Sequence, residues 1–537
     1  MSGAKRLAAL AAAFAALAGL TGGCAQRGAA TPDSFITSLG VEPQNPLIPS
    51  NTNEIGGGWV VDRLFAGLVA LDADGNAHNE VAESVETTDR RHYRIVLKPG
   101  WTFSNGDPVT AQSFADAWNY GALSTNAQLQ NIAYEPIEGY EELAANPPTA
   151  TSMRGLRVID DRTLEVDLVR PTIDFQVMLA WAPFYPLPKS AFRDIAAFGE
   201  HPIGNGPYQF AGPGAWQHNV KLDLVPNPSY RGVRPPKNKG LSLVYYSNPT
   251  AGYADLVANN LDFDYLLPND VLGVYERDLG GRTIQRPTAY SEKLAIPEYL
   301  PHFSGEEGKL RRRAIAKAVD RAQIAKVIFR GTVQPSTDFT ASVLPGHSAA
   351  IPGVDGIAFD PVGARALWAQ ADAISKYDGM FTIGYNADGG HQRWVEAMAN
   401  YLRKNLGIRA EGKAYPTFKD FRSAIVDKTI GGAFRNGWQG DYPTMLQYLE
   451  PNFLSGSETN DVKYASPRFD ELLRQAEAAA TLEESQILAN RAQELLFEDL
   501  PSLPLWDQVT IAGYSTRIVH PQSTWNATPD FENMVKR

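Results

Sequence analysis

Residues 93–111 read YRIVLKPGWTFSNGDPVTA, and that stretch passes through an extended strand, a turn and the start of a helix. Tyr93, Ile95 and Leu97 fall on one side of an extended chain, so the strand has one covered face. Asn105-Gly106-Asp107-Pro108 supplies residues suited to a tight turn. After it, residues 110–123 place Phe114, Ala117 and Trp118 at helical spacing, the pattern of one packed helix. A strand handed on to a helix through a short turn is the elementary unit of an α/β body.

The same alternation recurs at residues 163–168, 220–224 and 241–245, so the first half of the chain is rich in strands. Beyond about residue 305 the period changes. Residues 310–330 form an amphipathic helix stopped by Gly331, and residues 391–406 carry a stripe of Trp394, Met398, Tyr401 and Leu402 ended by Gly407. Thr481-Leu482-Glu483-Glu484 fits a capping box, opening a helix with Ile487, Leu488, Leu495 and Leu496 facing inward and ending before Pro501. Short strands such as residues 381–385 interleave these helices. The 537 residues exceed what one core serves, so at least two domains are expected. There is no repeat of fixed period.

The formal charge is −11, and residues 1–23 contain Lys5, Arg6 and no acid, so the rest of the chain carries −13. Such a balance disfavours nucleic acid, whose phosphates call for clustered Lys and Arg. The one basic run, Lys309, Arg311, Arg312 and Arg313, reads as the solvated face of a helix. At the N-terminus Lys5 and Arg6 precede an apolar run over residues 7–20 and then Thr21-Gly22-Gly23-Cys24. This is an export signal, too short to span a bilayer comfortably and expected to be removed. Cys24 is the sole cysteine, which excludes a disulfide framework. The arrangement resembles a bacterial lipoprotein signal, which would make Cys24 the lipid-bearing N-terminus and residues 24–32 a tether to the membrane. Thr21 stands where such signals usually carry Leu, with Leu20 one place upstream; an ordinary cleaved signal with an incidental cysteine is the alternative.

Catalytic constellations are missing. There is no H-E-x-x-H, C-x-x-C, G-x-S-x-G or phosphate-cradling G-x-x-x-x-G-K-S/T, and no two of the eight histidines stand three or four apart, so neither cofactor nor metal is expected. Gly204-Asn205-Gly206-Pro207-Tyr208 lacks the third glycine of a dinucleotide fingerprint and reads as a turn between strands. Residues 72–76 lack the seventh-on Glu of a calcium loop, that place being Val81, and read as a hairpin turn. Abundant acids and aromatics leave a secreted hydrolase as a reading with no motif behind it.

Six blocks in order resemble the extracellular peptide-binding proteins of ABC importers, the oligopeptide- and dipeptide-binding family. They are residues 64–75, the run 81–111, Pro202-Ile203-Gly204-Asn205-Gly206-Pro207-Tyr208, Pro226-Asn227-Pro228-Ser229-Tyr230, the helix at 311–327 with Ala318-Val319-Asp320-Arg321, and Gly437-Trp438-Gln439-Gly440-Asp441-Tyr442-Pro443. The resemblance spans nearly the whole chain after the tether. It implies a type II periplasmic-binding fold, α/β, with two lobes around a cleft, an extra subdomain in the N-terminal lobe and a hinge of two crossings. Lobe one is then 33–70, 200–292 and 505–537; the subdomain is 71–199; lobe two is 293–504.

The resemblance also implies a non-enzymatic, extracytoplasmic protein acting as a monomer, holding a short peptide between its lobes and delivering it to a membrane permease. Asp441 takes the role of the family aspartate that pairs with the peptide's α-ammonium, and Arg435, six residues earlier, that of an arginine turned to its carboxylate. Gly437 and Gln439 would offer main-chain groups to the peptide as to an added strand. Trp438 would line a side-chain pocket, a core tryptophan being the alternative. Tyr442 is a further ligand-binding candidate in the same block, and Tyr265 and Trp506 fall in the matching lobe-one and hinge segments, where aromatic core packing accounts for them equally well. The same fold serves non-peptide solutes, oligosaccharides and metal chelates, which stay open as alternatives.

Overall fold

The structure, a computed structural model, describes residues 33–537. The signal 1–23, Cys24 and the tether 24–32 lie outside the described residues. Strand His92–Leu97 buries Tyr93, Ile95 and Leu97 and exposes His92 and Arg94. It lies inside a four-stranded antiparallel sheet ordered Ala82–Thr87, His92–Leu97, Thr163–Asp167, Leu156–Asp160. Helix Ala111–Ala122 covers that sheet with Phe114 and Trp118, both fully buried. Ser113 Oγ accepts the Thr110 N–H at 3.2 Å, satisfying a donor that the first helical turn leaves over. This subdomain shares one core with lobe one, running from Ile36 and Leu243 through Ile95 and Trp118 to Phe184.

A twelve-stranded sheet runs through both lobes. At its centre lie two strands of 13 residues each, Thr283–Ala295 and Ser502–Tyr514, paired antiparallel from Thr283↔Gly513 to Ala295↔Ser502. On one side follow Ala433–Gln439, Met380–Asn386 and Arg409–Tyr415 of lobe two; on the other Phe263–Asp264, Ile36–Gly40, Leu241–Tyr245, Lys221–Pro226 and Tyr208–Phe210 of lobe one. The pairing shifts between Pro287 and Ser291, setting Thr288, Ala289 and Tyr290 against Gln508 alone. The bulge bends the strand, and its backbone groups find partners elsewhere: the Ala289 N–H donates to Trp525 O at 3.0 Å and its carbonyl accepts the Tyr448 hydroxyl. A second shift falls between Glu292 and Lys293, where the expected lobe boundaries at 292/293 and 504/505 stand opposite each other. Lobe two has its own core, and Ile173 of the subdomain inserts into it, with its N–H donating to Glu477 O at 2.9 Å.

Four expectations are corrected. Arg311 and Arg312 do not lie on a solvated face but are fully buried. Arg311 pairs with Glu307 at 2.8 Å and Asp372 at 3.0 Å and lies 4.6 Å from the Trp368 ring; Arg312 pairs with Glu298 at 3.1 Å and donates to Asp499 O. A flat guanidinium with its donors matched can enter a core that excludes an unpaired charge. The helix expected over 310–330 is Gly305–Ala318, a break at Val319, and a new start at Arg321–Ile324, because the Asp320 carboxylate caps the Gln323 N–H at 2.9 Å. Ile487 is exposed, and Ala489, Ala492, Gln493 and Leu496 take the inner face of Leu482–Asp499. Residues 204–208 follow helix Ile195–Glu200 and precede strand Tyr208–Phe210, so they do not join two strands.

Where subdomain meets lobe two, the Thr444 hydroxyl donates to Asp174, whose buried carboxyl is pushed up to about 7 by desolvation; burial also raises Glu477 and Glu450. A raised carboxyl stabilises the fold while protonated, fully below about pH 4, and loses that contribution as pH climbs through about 7. Asp174→Asn keeps an acceptor for Thr444 and removes the charge. Its unfolding midpoint should exceed that of the parent by several degrees at pH 8, an effect of at most about 4 kcal/mol, and the gap should close at pH 4. Equal midpoints at both pH values would show Asp174 ionised without cost.

Candidate functional site: the cavity between the lobes

One wall starts at Glu54, whose carboxylate accepts the Gly57 N–H at 2.9 Å and opens helix Ile55–Leu64. The far end of this helix is clamped by residues 204–206. A Cβ at Gly204 would lie 1.8 Å from the Leu64 carbonyl oxygen, so no larger residue fits. The Asn205 amide meets both backbone groups of Ala66, at 3.0 and 2.9 Å. Held at both ends, the helix turns Trp59, Asp62 and Arg63 toward a cavity of about 860 Å³. Trp181 and Tyr185 of the subdomain, Tyr265 of lobe one, Thr288, Tyr290 and Gln508 of the crossing strands, and Gln439, Gly440 and Asp441 of lobe two complete the lining.

Charges in the wall are mostly closed on themselves. Arg234 holds Glu80 at 3.2 Å and donates to the Asp62 and Phe65 carbonyls; Arg63 reaches Glu532 at 3.4 Å and donates to the Trp59 and Pro529 carbonyls. Asp441 differs: among the described residues its carboxylate has no ion pair or hydrogen bond. Its side chain is open to the cavity but ringed by protein at longer range, and that desolvation pushes its carboxyl up to about 6.

Of the residues singled out in the sequence, Asp441, Gln439 and Tyr265 meet in this cavity, Tyr265 standing edge-on to Trp59 at 4.5 Å. Five do not line it. The Arg435 guanidinium is buried and gives both ends to Glu292, at 3.0 and 2.9 Å, and a further N–H to the Tyr290 hydroxyl at 2.7 Å. It is therefore occupied, where a free guanidinium was expected, and what it orients is Tyr290. A Cβ on Gly437 would lie 1.8 Å from that hydroxyl, which explains the glycine. The Trp438 indole N–H donates to Gln447 O at 2.8 Å, and Tyr442 stands behind the wall, 6.2 Å from Trp181. Trp506 is a core residue, 4.8 Å from Phe329 and 5.1 Å from Trp394. Trp59, Asp62, Trp181, Tyr185, Tyr290 and Gln508 were not anticipated; the one usable signal was Glu54 ahead of an aromatic-bearing helix.

The family of bacterial extracellular solute-binding proteins, family 5, middle region, matches residues 76–460. The chain belongs to that family of solute-binding transport proteins, which includes binding components of peptide importers. It is 26% identical over 485 residues to the oligopeptide-binding protein OppA of Bacillus subtilis, covering 86% of this chain and 85% of the relative. It is 27% identical over 482 residues to the probable deoxycholate-binding periplasmic protein YgiS of Escherichia coli, covering 87% and 86%. Among solved structures, the unliganded open form of the periplasmic murein tripeptide-binding protein MppA superposes with a TM-score of 0.82 at 20% identity, covering 94% of this chain and 97% of that one. OppA of Haemophilus influenzae in complex with RPPGFSPFR gives 0.67 at 22% identity, covering 94% and 99%. The fold is thus the type II two-lobed one.

Packing gives Trp506 a structural role. Trp506→Ala should lower stability by about 3–5 kcal/mol, read from denaturant midpoints. A midpoint within the error of the parent would place Trp506 outside the core.

Proposed function

We propose that this chain is the substrate-binding lipoprotein of an ABC importer, held to the outer side of the cell membrane through Cys24, which captures a short peptide between its lobes and delivers it to a permease. The observation that carries this reading is the unpartnered Asp441 carboxylate in the cavity wall. A peptide's α-ammonium supplies the missing charge, and once shut away from water such a pair is hard to break: removing one partner costs roughly 3–5 kcal/mol. Strand Met380–Asn386 pairs with Ala433–Gln439 only at Ala433 and Phe434. Beyond them, residues 435–439 keep an edge without a strand partner among the described residues, the kind of edge to which an extended peptide adds. Gln439 reaches the cavity from that edge.

Closing lobes on cargo is hinge motion, and the cargo draws the balance toward closure by its preference for the closed form. The bulge at 288–290 lies between the lobes and in the cavity wall, where such a bend would be felt by the cargo. Among the described residues no helix is long and apolar enough to cross a membrane.

Calorimetry with short unmodified peptides should show Asp441→Ala lowering affinity at least about a hundredfold. Because a carboxyl near 6 in the cargo-free protein must be ionised to pair with an ammonium, affinity should be highest near pH 7, weaken by up to about tenfold per pH unit below 6, and fall again above about pH 8 as the peptide's own α-amino group loses its proton. N-acetylated peptides should bind as poorly as the variant. Unaltered affinity of Asp441→Ala, or equal binding of acetylated peptides, would sink the ammonium pairing and favour a solute without an amine. Cys24→Ser should abolish labelling by radioactive palmitate and move the protein from the membrane to the soluble fraction; retention at the membrane would refute the anchor.

A further inference from the structure

The lobe-one wall of the cavity that Asp441 also lines contains a second carboxylate whose charge is incompletely met. Asp62 lines the cavity and its side chain is 35% exposed, so cargo can reach it. The Tyr185 hydroxyl lies 3.2 Å from Asp62 Oδ1 and also 3.0 Å from the Ala180 carbonyl oxygen. A phenol has one proton, so one of these acceptors goes without. The nearest cation, Arg63 Nη1, stands 3.9 Å away and belongs to a guanidinium already committed to Glu532 and two carbonyls. Arg234 approaches the main-chain carbonyl of residue 62, while its carboxylate partner is Glu80. Burial raises the Asp62 carboxyl, with Arg63 and Arg234 opposing the rise incompletely.

The surroundings fit an organic cation. Trp59, one helical turn before Asp62, and Tyr265 meet edge to face at 4.5 Å, and Trp181 and Tyr185 line the same cavity. Aromatic faces attract ammonium and guanidinium groups, and rings beside a carboxylate exclude the water that would compete. The wall as a whole contains six carboxylates, Glu54, Asp62, Asp72, Asp441, Asp530 and Glu532, against the two paired guanidiniums and His78. Its field therefore favours cations and opposes an acidic side chain.

We propose that Asp62 and its flanking rings form a second cation subsite, which takes the ammonium or guanidinium of a Lys or Arg side chain, so that the preferred cargo is a basic peptide bearing one cation for each lobe. The inference rests on the peptide reading given above, in which Asp441 holds the α-ammonium.

Calorimetry on the purified full-length protein with Ala-Ala-Ala, Ala-Lys-Ala, Ala-Ala-Lys and Ala-Glu-Ala separates the two claims. The better lysine peptide should bind about tenfold or more tighter than Ala-Ala-Ala, and Ala-Glu-Ala weaker than both. In Asp62→Asn the ratio of lysine-peptide to alanine-peptide affinity should fall to about one. Equal affinities for the neutral and lysine peptides in the parent protein overturn the second subsite and leave peptide binding intact, a comparison that needs no variant to fold. A lysine preference undiminished in Asp62→Asn overturns the assignment to Asp62. Failure of all four peptides to bind overturns the peptide reading itself.

Discussion

Two strands of 13 residues, paired side by side, tie the lobes into one sheet, and every other element takes its place from them. Unbroken pairing over that length would make a stiff ribbon. The unmatched residues 288–290 interrupt it, and their neighbours come from distant parts of the chain, Trp525 near the C-terminus and Tyr448 in lobe two. The backbone groups of Ala289 in the bulge therefore find their hydrogen bonds away from the partner strand. Thr288, Tyr290 and Gln508 there also line the cavity, so the irregular stretch of the strands that join the lobes is part of the cavity wall. A change of angle between the lobes is a change in the shape of the site.

Against that frame, the treatment of charge separates scaffold from site. Arg311, Arg312, Arg234 and Arg435 are each drawn into protein and closed by carboxylates or carbonyls; a buried ion costs several kcal/mol unless its partners are complete. Arg435 shows how such a closed pair still serves the cavity: joined to Glu292, it fixes the Tyr290 hydroxyl, and the space this takes is what confines position 437 to glycine. Asp441 and Asp62 are left with their charge unmet or partly met. These two carboxylates line the same cavity, where a ligand can reach them.

The sequence made some of this visible and hid the rest for definite reasons. Residues 93–111 and 391–406 could be read because their patterns are local: the apolar positions that define strand or helix are within a few residues of one another. Asp441 was found through its block, which no spacing argument would have isolated among sixty acids. Arg311 and Arg312 were misplaced because a run of basic residues looks alike whether solvent or Glu307, Asp372 and Glu298 receive it, and those partners are separated from it by up to sixty residues of chain. Trp506 looked as fit for a ligand as for a core, since nothing local says that Phe329 and Trp394 close over it. Asp62 left no trace at all. On a helix it is an ordinary acid, and its meaning comes from Tyr185 and the closure of Arg63 and Arg234 upon other groups.

The blocks that carry the family resemblance lie mostly behind the wall. Residues 204–206 clamp the end of helix Ile55–Leu64, and Asn227 holds Gly206 in place through its carbonyl at 2.9 Å. Tyr230 bonds Glu80, which in turn holds Arg234. Asp320 restarts a helix, and Arg321 ties it to Ser336 and to Pro504 of the return strand, both at 2.8 Å. These are requirements of assembly, met in the same way whatever the cargo, so likeness in them identifies the scaffold. Trp59, Asp62, Trp181 and Tyr185, which line the cavity on the lobe-one side, fall outside the blocks, whereas Asp72, Gln439, Gly440 and Asp441 belong to both block and cavity wall. A chain built this way can keep its hinge and its grip on one charged end of a ligand while the opposite wall changes what else the ligand must carry.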